Sequence, residues 1–182
     1  MEELEDPTES LHEHIHEEAH HAEATGNKWI VYVALTTAVI AVLSAITSLL
    51  AAYHADESML SQIKASDQWA YYQAKGIKTE ILVSDGKLLK AIGKAAVPSD
   101  EEKISENKAE QQEIMNKAKE YEAESHRHAE SHNTLARSVT LFQIAIAIGA
   151  ISILIKKRIY WLISLAFAGV AAFFFILQLI GR

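Results

Sequence analysis

The chain of 182 residues contains no cysteine. That excludes a disulfide framework and any thiolate metal site or nucleophile, and it leaves the redox compartment open. Proline is almost missing too, with only Pro7 and Pro98. Neither proline nor glycine occurs between Trp29 and Lys75, or between Ser99 and Ile148. Nothing in these two stretches forces a helix to end. The most informative absence is charge. The runs 29–53, 138–155 and 159–180 hold no Asp, Glu, Lys, Arg or His.

A helix that crosses a bilayer needs about 20 mostly apolar residues, and each run is near that length. The runs 29–53, 138–155 and 159–180 are therefore read as transmembrane helices, with a basic turn at 156–158 and a polar insert at 54–137. The first run is too long, and its preceding residues too acidic, for a cleaved signal peptide, so it is expected to remain as an anchor. The formal charge of −7 is uneven. Residues 1–27 carry nine acids and no Lys or Arg, whereas the insert carries fifteen acids and twelve bases. No basic patch suggests nucleic acid as a partner.

Asp6-Pro7-Thr8-Glu9 reads as a helix start, with Asp6 as cap and Pro7 in the first helical position. An N-terminal helix within 1–28 is expected, ending at Gly26-Asn27 and carrying only a thin apolar stripe of Leu11, Ile15, Ala19 and Ala22. In the insert, apolar or small residues recur at heptad spacing: Leu60, Ile63, Ala70, Ala74, Ile77, Ile81 and Leu88. The same register meets Tyr32, Leu35, Val39, Val42, Ile46 and Leu49 in the first span. This large-residue seam is expected to face the partner arm. Asp85-Gly86 is a candidate break, and Val97-Pro98 a stronger one. The next helix is expected to start near Ser99 and run into the second span. The fold class is thus an all-α integral membrane protein. Its first two spans continue into a long antiparallel helical hairpin, with arms of about 40 residues measuring roughly 60 Å. Lys156-Lys157-Arg158, in a very short loop, places that turn and the N-terminus in the cytoplasm and the hairpin in the periplasm.

Nine histidines are many for this length. His12, His16 and His20 share one helix face at i, i+4, i+8, a spacing that would chelate zinc, nickel or copper. A solvated acidic helix or a pH-sensitive tail would use the same residues. His128 and His132 lie on the expected seam of the second arm. With the tip placed near Pro98, equal counting sets His128 opposite Asp67 and His132 opposite Ile63. An Asp67–His contact would act either as a polar pair that sets helix register or as a metal or proton site.

The segment Asp67-Gln68-Trp69-Ala70-Tyr71-Tyr72-Gln73-Ala74-Lys75 resembles bacterial membrane proteins grouped as domain of unknown function 4337. The first span, the His-bearing second arm and the closing spans with their basic turn share in the likeness. It covers most of the chain beyond residue 28. The resemblance implies this architecture and a bacterial inner membrane, and it implies no catalytic residue. Trp69, Tyr71 and Tyr72 lie on three sides of a helix, so they cannot all face one partner.

Small and hydroxyl residues mark the spans. Ala34, Thr37, Ala41, Ser44, Ser48 and Ala52 lie in the first, Thr140 and Gln143 in the second, and Ser164 and Gln178 in the third. Thr37, Ser44, Ser48 and Gln143 are expected either to pack helices together or to line a pore. No ionisable group sits in a span, which argues against a proton-coupled carrier. No enzyme signature is present. The expected function is a homo-oligomeric membrane protein in a lipid bilayer, acting as a passive ion pore or an anchored scaffold. The alternative is a module that binds a divalent metal or responds to pH.

Overall fold

The computed structural model describes residues 28–95 and 97–180. The expected N-terminal helix, with His12, His16 and His20, lies outside them. Three helices make up the described chain, which has no strand among these residues: α1, Lys28–Ala91; α2, Pro98–Ile155; and α3, Arg158–Ile180. Each includes a stretch long and apolar enough to cross a membrane.

α1 runs straight through Asp85-Gly86, contrary to the candidate break there. Its end is set by Gly93. Lys94 N donates to Leu89 O at 2.9 Å and Gly93 N to Lys90 O at 3.1 Å, with Gly93 at a φ of 75°. This pair of bonds closes a helix with a left-handed residue, a conformation that glycine adopts without a Cβ penalty. α2 then opens on Pro98, where the missing N–H costs nothing. Between α2 and α3 the chain reverses at Lys156, which takes a left-handed φ of 55°.

The chain divides into two compact units. One contains the described residues up to Tyr53 and those from Glu130 onward, and the other spans His54–Ala129. In the first unit, α1 turns Ile30, Val33, Thr37, Ile40, Ser44, Thr47 and Ala51 inward. Ile30 and Val33 pack with Ala150 and Ile153, while Ile40 packs with Phe142, Ala145, Ile146, Ala168 and Ala171. Buried hydroxyls tie the helices together. Ser138 donates to Ala171 O at 2.8 Å and Ser164 to Ala145 O at 2.6 Å. Trp161 Nε1 donates to Thr36 Oγ1 at 3.1 Å.

In the second unit, α1 and α2 run antiparallel. Ser58 meets Ser125, Tyr72 O meets Gln111, and Lys75 meets Asn107. The contact face is built of small residues, with Ala65 and Ala118 fully buried. The expected seam is therefore corrected. Leu60, Ile63, Ile77, Ile81 and Leu88 are 45–62% exposed, and Tyr32, Leu35, Val39, Val42, Ile46 and Leu49 are exposed as well. The inner heptad is the small and polar one, offset by two residues, which is about 200° around a helix. Small residues let two backbones approach closely, whereas the large aliphatic side chains would hold the helices apart.

Candidate functional site: a buried histidine pair between antiparallel helices

The inner heptad of α1 passes through Thr47, Ala51, His54, Ser58, Ser61 and Ala65, so His54 inherits a buried position from the spacing alone. It is 4% exposed. His128 comes from α2, and the two Nδ1 atoms lie 2.9 Å apart with ring centroids at 5.1 Å. A bond between two Nδ1 atoms needs a proton on one and a lone pair on the other. The contact is therefore compatible with one charged ring or none. With both rings protonated, two N–H groups would face each other.

One turn beyond this pair, Ser58 and Ser125 bond reciprocally. Ser58 Oγ donates to Ser125 O at 3.0 Å and Ser125 Oγ to Ser58 O at 2.9 Å. The hydroxyls thus answer each other across the two backbones. Ser61 Oγ, a turn further along, is buried with no hydrogen-bond partner among the described residues. In the first unit, His132 Nδ1 lies 2.9 Å from Ala51 O, and Gln178 Nε2 donates to Ser131 Oγ at 2.8 Å.

The register expected from equal counting is therefore corrected. His128 meets His54 rather than Asp67, and His132 meets Ala51 rather than Ile63. Asp67 is exposed on the outer face of α1. The counting failed because it put the tip at Pro98, whereas α1 already ends at Ala91. Among the described residues, no three His, Asp or Glu side chains converge as a metal-binding group. The His54–His128 pair offers two nitrogen ligands.

Further along the same two helices, Trp69 Nε1 donates to Glu122 at 2.8 Å and stacks edge-on against Tyr72 at 5.6 Å. Tyr71 stays exposed, with the Lys75 ammonium 5.8 Å from its ring centroid. Trp69 and Tyr72 thus share one side of α1 while Tyr71 points elsewhere, so the expected spread over three sides is corrected to two. Lys75 also pairs with Glu110. The Glu110 hydrogen bond and charge hold the Lys75 ammonium above its usual value, against a smaller desolvation effect. On the exposed face of α2, Lys117 donates to Glu113 at 2.7 Å, which lowers the Glu113 carboxyl and raises Lys117.

Of the span residues singled out by sequence, Thr37 is buried and donates to Val33 O at 2.8 Å. Ser44 is buried too. Ser48 and Gln143 are exposed. Thr47, which the sequence stripe passed over, takes the inward place and donates to Leu43 O at 2.7 Å. Ser164 is buried and Gln178 half-buried.

These features define an all-helical protein with three helices long and apolar enough to cross a membrane and a long polar helical insert after the first. The chain belongs to the family described as Domain of unknown function (DUF4337), whose match covers residues 29–181. No curated protein and no solved structure matches it.

Proposed function

We propose that this protein is a homo-oligomeric scaffold of a bacterial inner membrane. Its three apolar helices anchor it, and its hairpin of α1 and α2 stands outside the bilayer. The observation that carries this reading is the fate of the span hydroxyls. Thr37, Thr47, Ser138 and Ser164 are buried, and each bonds a carbonyl of this same chain. A pore would instead need a row of polar atoms facing an aqueous path. The basic turn at 156–158 favours a cytoplasmic turn and a periplasmic hairpin.

Planar-bilayer recording of the purified protein is the test. A scaffold leaves the bilayer silent while the protein remains oligomeric by light scattering. Discrete conductance that Ser44→Leu removes would replace the scaffold with a pore.

The second reading, a module that binds a divalent metal or responds to pH, is favoured by the His54–His128 contact. Two imidazole nitrogens already face each other, and imidazole is a good ligand for zinc, nickel and copper. Titration calorimetry with each ion, on the native chain and on His128→Ala, would test it. Binding that is equally weak in both would remove the pair as a metal site.

A further inference from the structure

Seen from outside the two-helix contact, α1 carries a second heptad. Leu60, Ile63, Ala70, Ala74, Ile77, Ile81 and Leu88 keep one heptad register, whose two remaining places are Asp67 and Ser84. All seven lie on the face turned away from α2 and are exposed. Met59 and Tyr71 flank the stripe at 66% and 48% exposure. The stripe presents on the order of 700 Å² of apolar surface, above the roughly 300–600 Å² of the largest patch on a typical soluble monomer. It is also close to the about 800 Å² that each partner contributes to a standard stable interface. A repeat of 3.5 residues is the pattern that a supercoiled neighbouring helix matches, because each apolar knob then meets a hole at every turn.

We propose that this outer face of α1, from Leu60 to Leu88, docks against the same face of a second copy of the chain in a parallel coiled coil. The inference rests on the membrane-anchored oligomer proposed above. Two copies inserted in one bilayer with the same sense present this stripe parallel and at equal height. Leu60 then meets Leu60 of the copy, and Ile77 meets Ile77. Such a contact is isologous, and self-complementarity follows without any further matching of surfaces. Asp67 interrupts the stripe at a central position, where it would lie beside the Asp67 of the copy. A like-charge pair in a seam weakens the association and makes it adjustable, as polar residues at core positions do in other coiled coils.

The absence of cysteine makes the test direct, since any introduced cysteine is unique. Ile63→Cys and Ile77→Cys, expressed as full chains and oxidised in intact membranes, should give a covalent product of twice the chain mass. Gln62→Cys and Lys119→Cys, both exposed but turned away from the stripe, should give several-fold less. Circular dichroism of each variant confirms that helix content is kept. A charge exchange adds a test of self-pairing. When Asp67→Lys chains carrying Ile77→Cys are co-expressed in equal amount with chains carrying Ile77→Cys alone, mixed products should exceed the two like pairs taken together, the level that random pairing gives. Cross-linking confined to Lys119→Cys, with the native chain oligomeric by light scattering, would overturn this interface and leave the oligomer standing. A native chain that is monomeric in membranes and in detergent would remove both. A product linking the chain to a different protein, or no preference for mixed pairs, would overturn the second copy as occupant.

Discussion

Gly149 lies where α2 passes closest to its neighbours, and adding a single methyl group there should be felt throughout the first unit. A Cβ at this position would stand 2.9 Å from Thr37 Oγ1 and 3.4 Å from Ser164 Oγ. Neither atom can retreat easily. Thr37 is 1% exposed, and its Oγ1 already donates to Val33 O at 2.8 Å. Its branched side chain has few alternative rotamers in a helix. Ser164 is held by its 2.6 Å bond to Ala145 O. Gly149→Ala therefore sets an overpacking cost of about 1–3 kcal/mol against a gain in helix propensity of about 1 kcal/mol. The net expectation is a loss of about 1 kcal/mol, which lowers Tm by about 2–4 °C for a chain of this size.

The decisive comparison is made in a Thr37→Ala background. That change removes both Oγ1 and Cγ2, the nearest and third-nearest atoms to the new methyl group. Gly149→Ala should then become stabilising by about 1 kcal/mol, a reversal of sign that a double-mutant cycle reads as about 2 kcal/mol of coupling. Thermal melts of the four proteins in one detergent, followed by circular dichroism, supply the cycle. Equal effects of Gly149→Ala in the two backgrounds would refute the close approach of α1, α2 and α3 at this level.

Gly76 offers the contrasting case. Its added Cβ would meet Gln111 Nε2 at 2.9 Å, but that atom ends a flexible side chain whose bond to Tyr72 O can be given up. Gly76→Ala should melt within about 1 kcal/mol of the native chain, or above it. At the histidine pair, His128→Leu takes the Nδ1 partner from a ring that is 4% exposed and should cost about 1–3 kcal/mol, whereas the double change His54→Leu, His128→Leu should recover much of it. The raised Lys75 ammonium makes its pairing with Glu110 stabilising below the unfolded lysine value of about 10.4, and that stabilisation is lost as pH climbs through the folded value. Glu110→Gln should therefore lower Tm slightly at about pH 8 and progressively less as pH climbs above about 10.4. A loss that persists at high pH would mean that Glu110 acts through packing rather than charge.

The helices themselves were legible in the sequence, and so was the division into apolar and polar lengths. Long stretches without Gly or Pro, three runs without charge and a proline before the second long helix left little freedom. The stop at Gly93 was harder to place. Gly76, Gly86 and Gly93 look alike in sequence, and only Gly93 coincides with a positive φ and two capping bonds. The functional residues divided in the same way. His128 stood out by composition, but its partner His54 did not, because pairing depends on where the reversal lies. A tip displaced by a few residues moves every cross-helix neighbour by about twice as many positions.

The inverted seam has a different physical origin. α1 carries two heptads on opposite faces, one large and aliphatic and one small and polar. In water, the larger side chains would be assigned to the interior, since burying them removes more apolar area. For a helix in lipid that preference vanishes, because a large aliphatic side chain is as well solvated outside as inside. Close approach and interhelical hydrogen bonds then decide, and small residues win. The inward face of Thr37, Ser44 and Thr47 is the one that a lipid setting would select on those terms. In the second unit His54, Ser61 and Ala65 are buried and Ser58 is half-buried, whereas Leu60, Ile63 and Ile77 are exposed. There too the small residues take the contact face, and the large aliphatic stripe is left exposed.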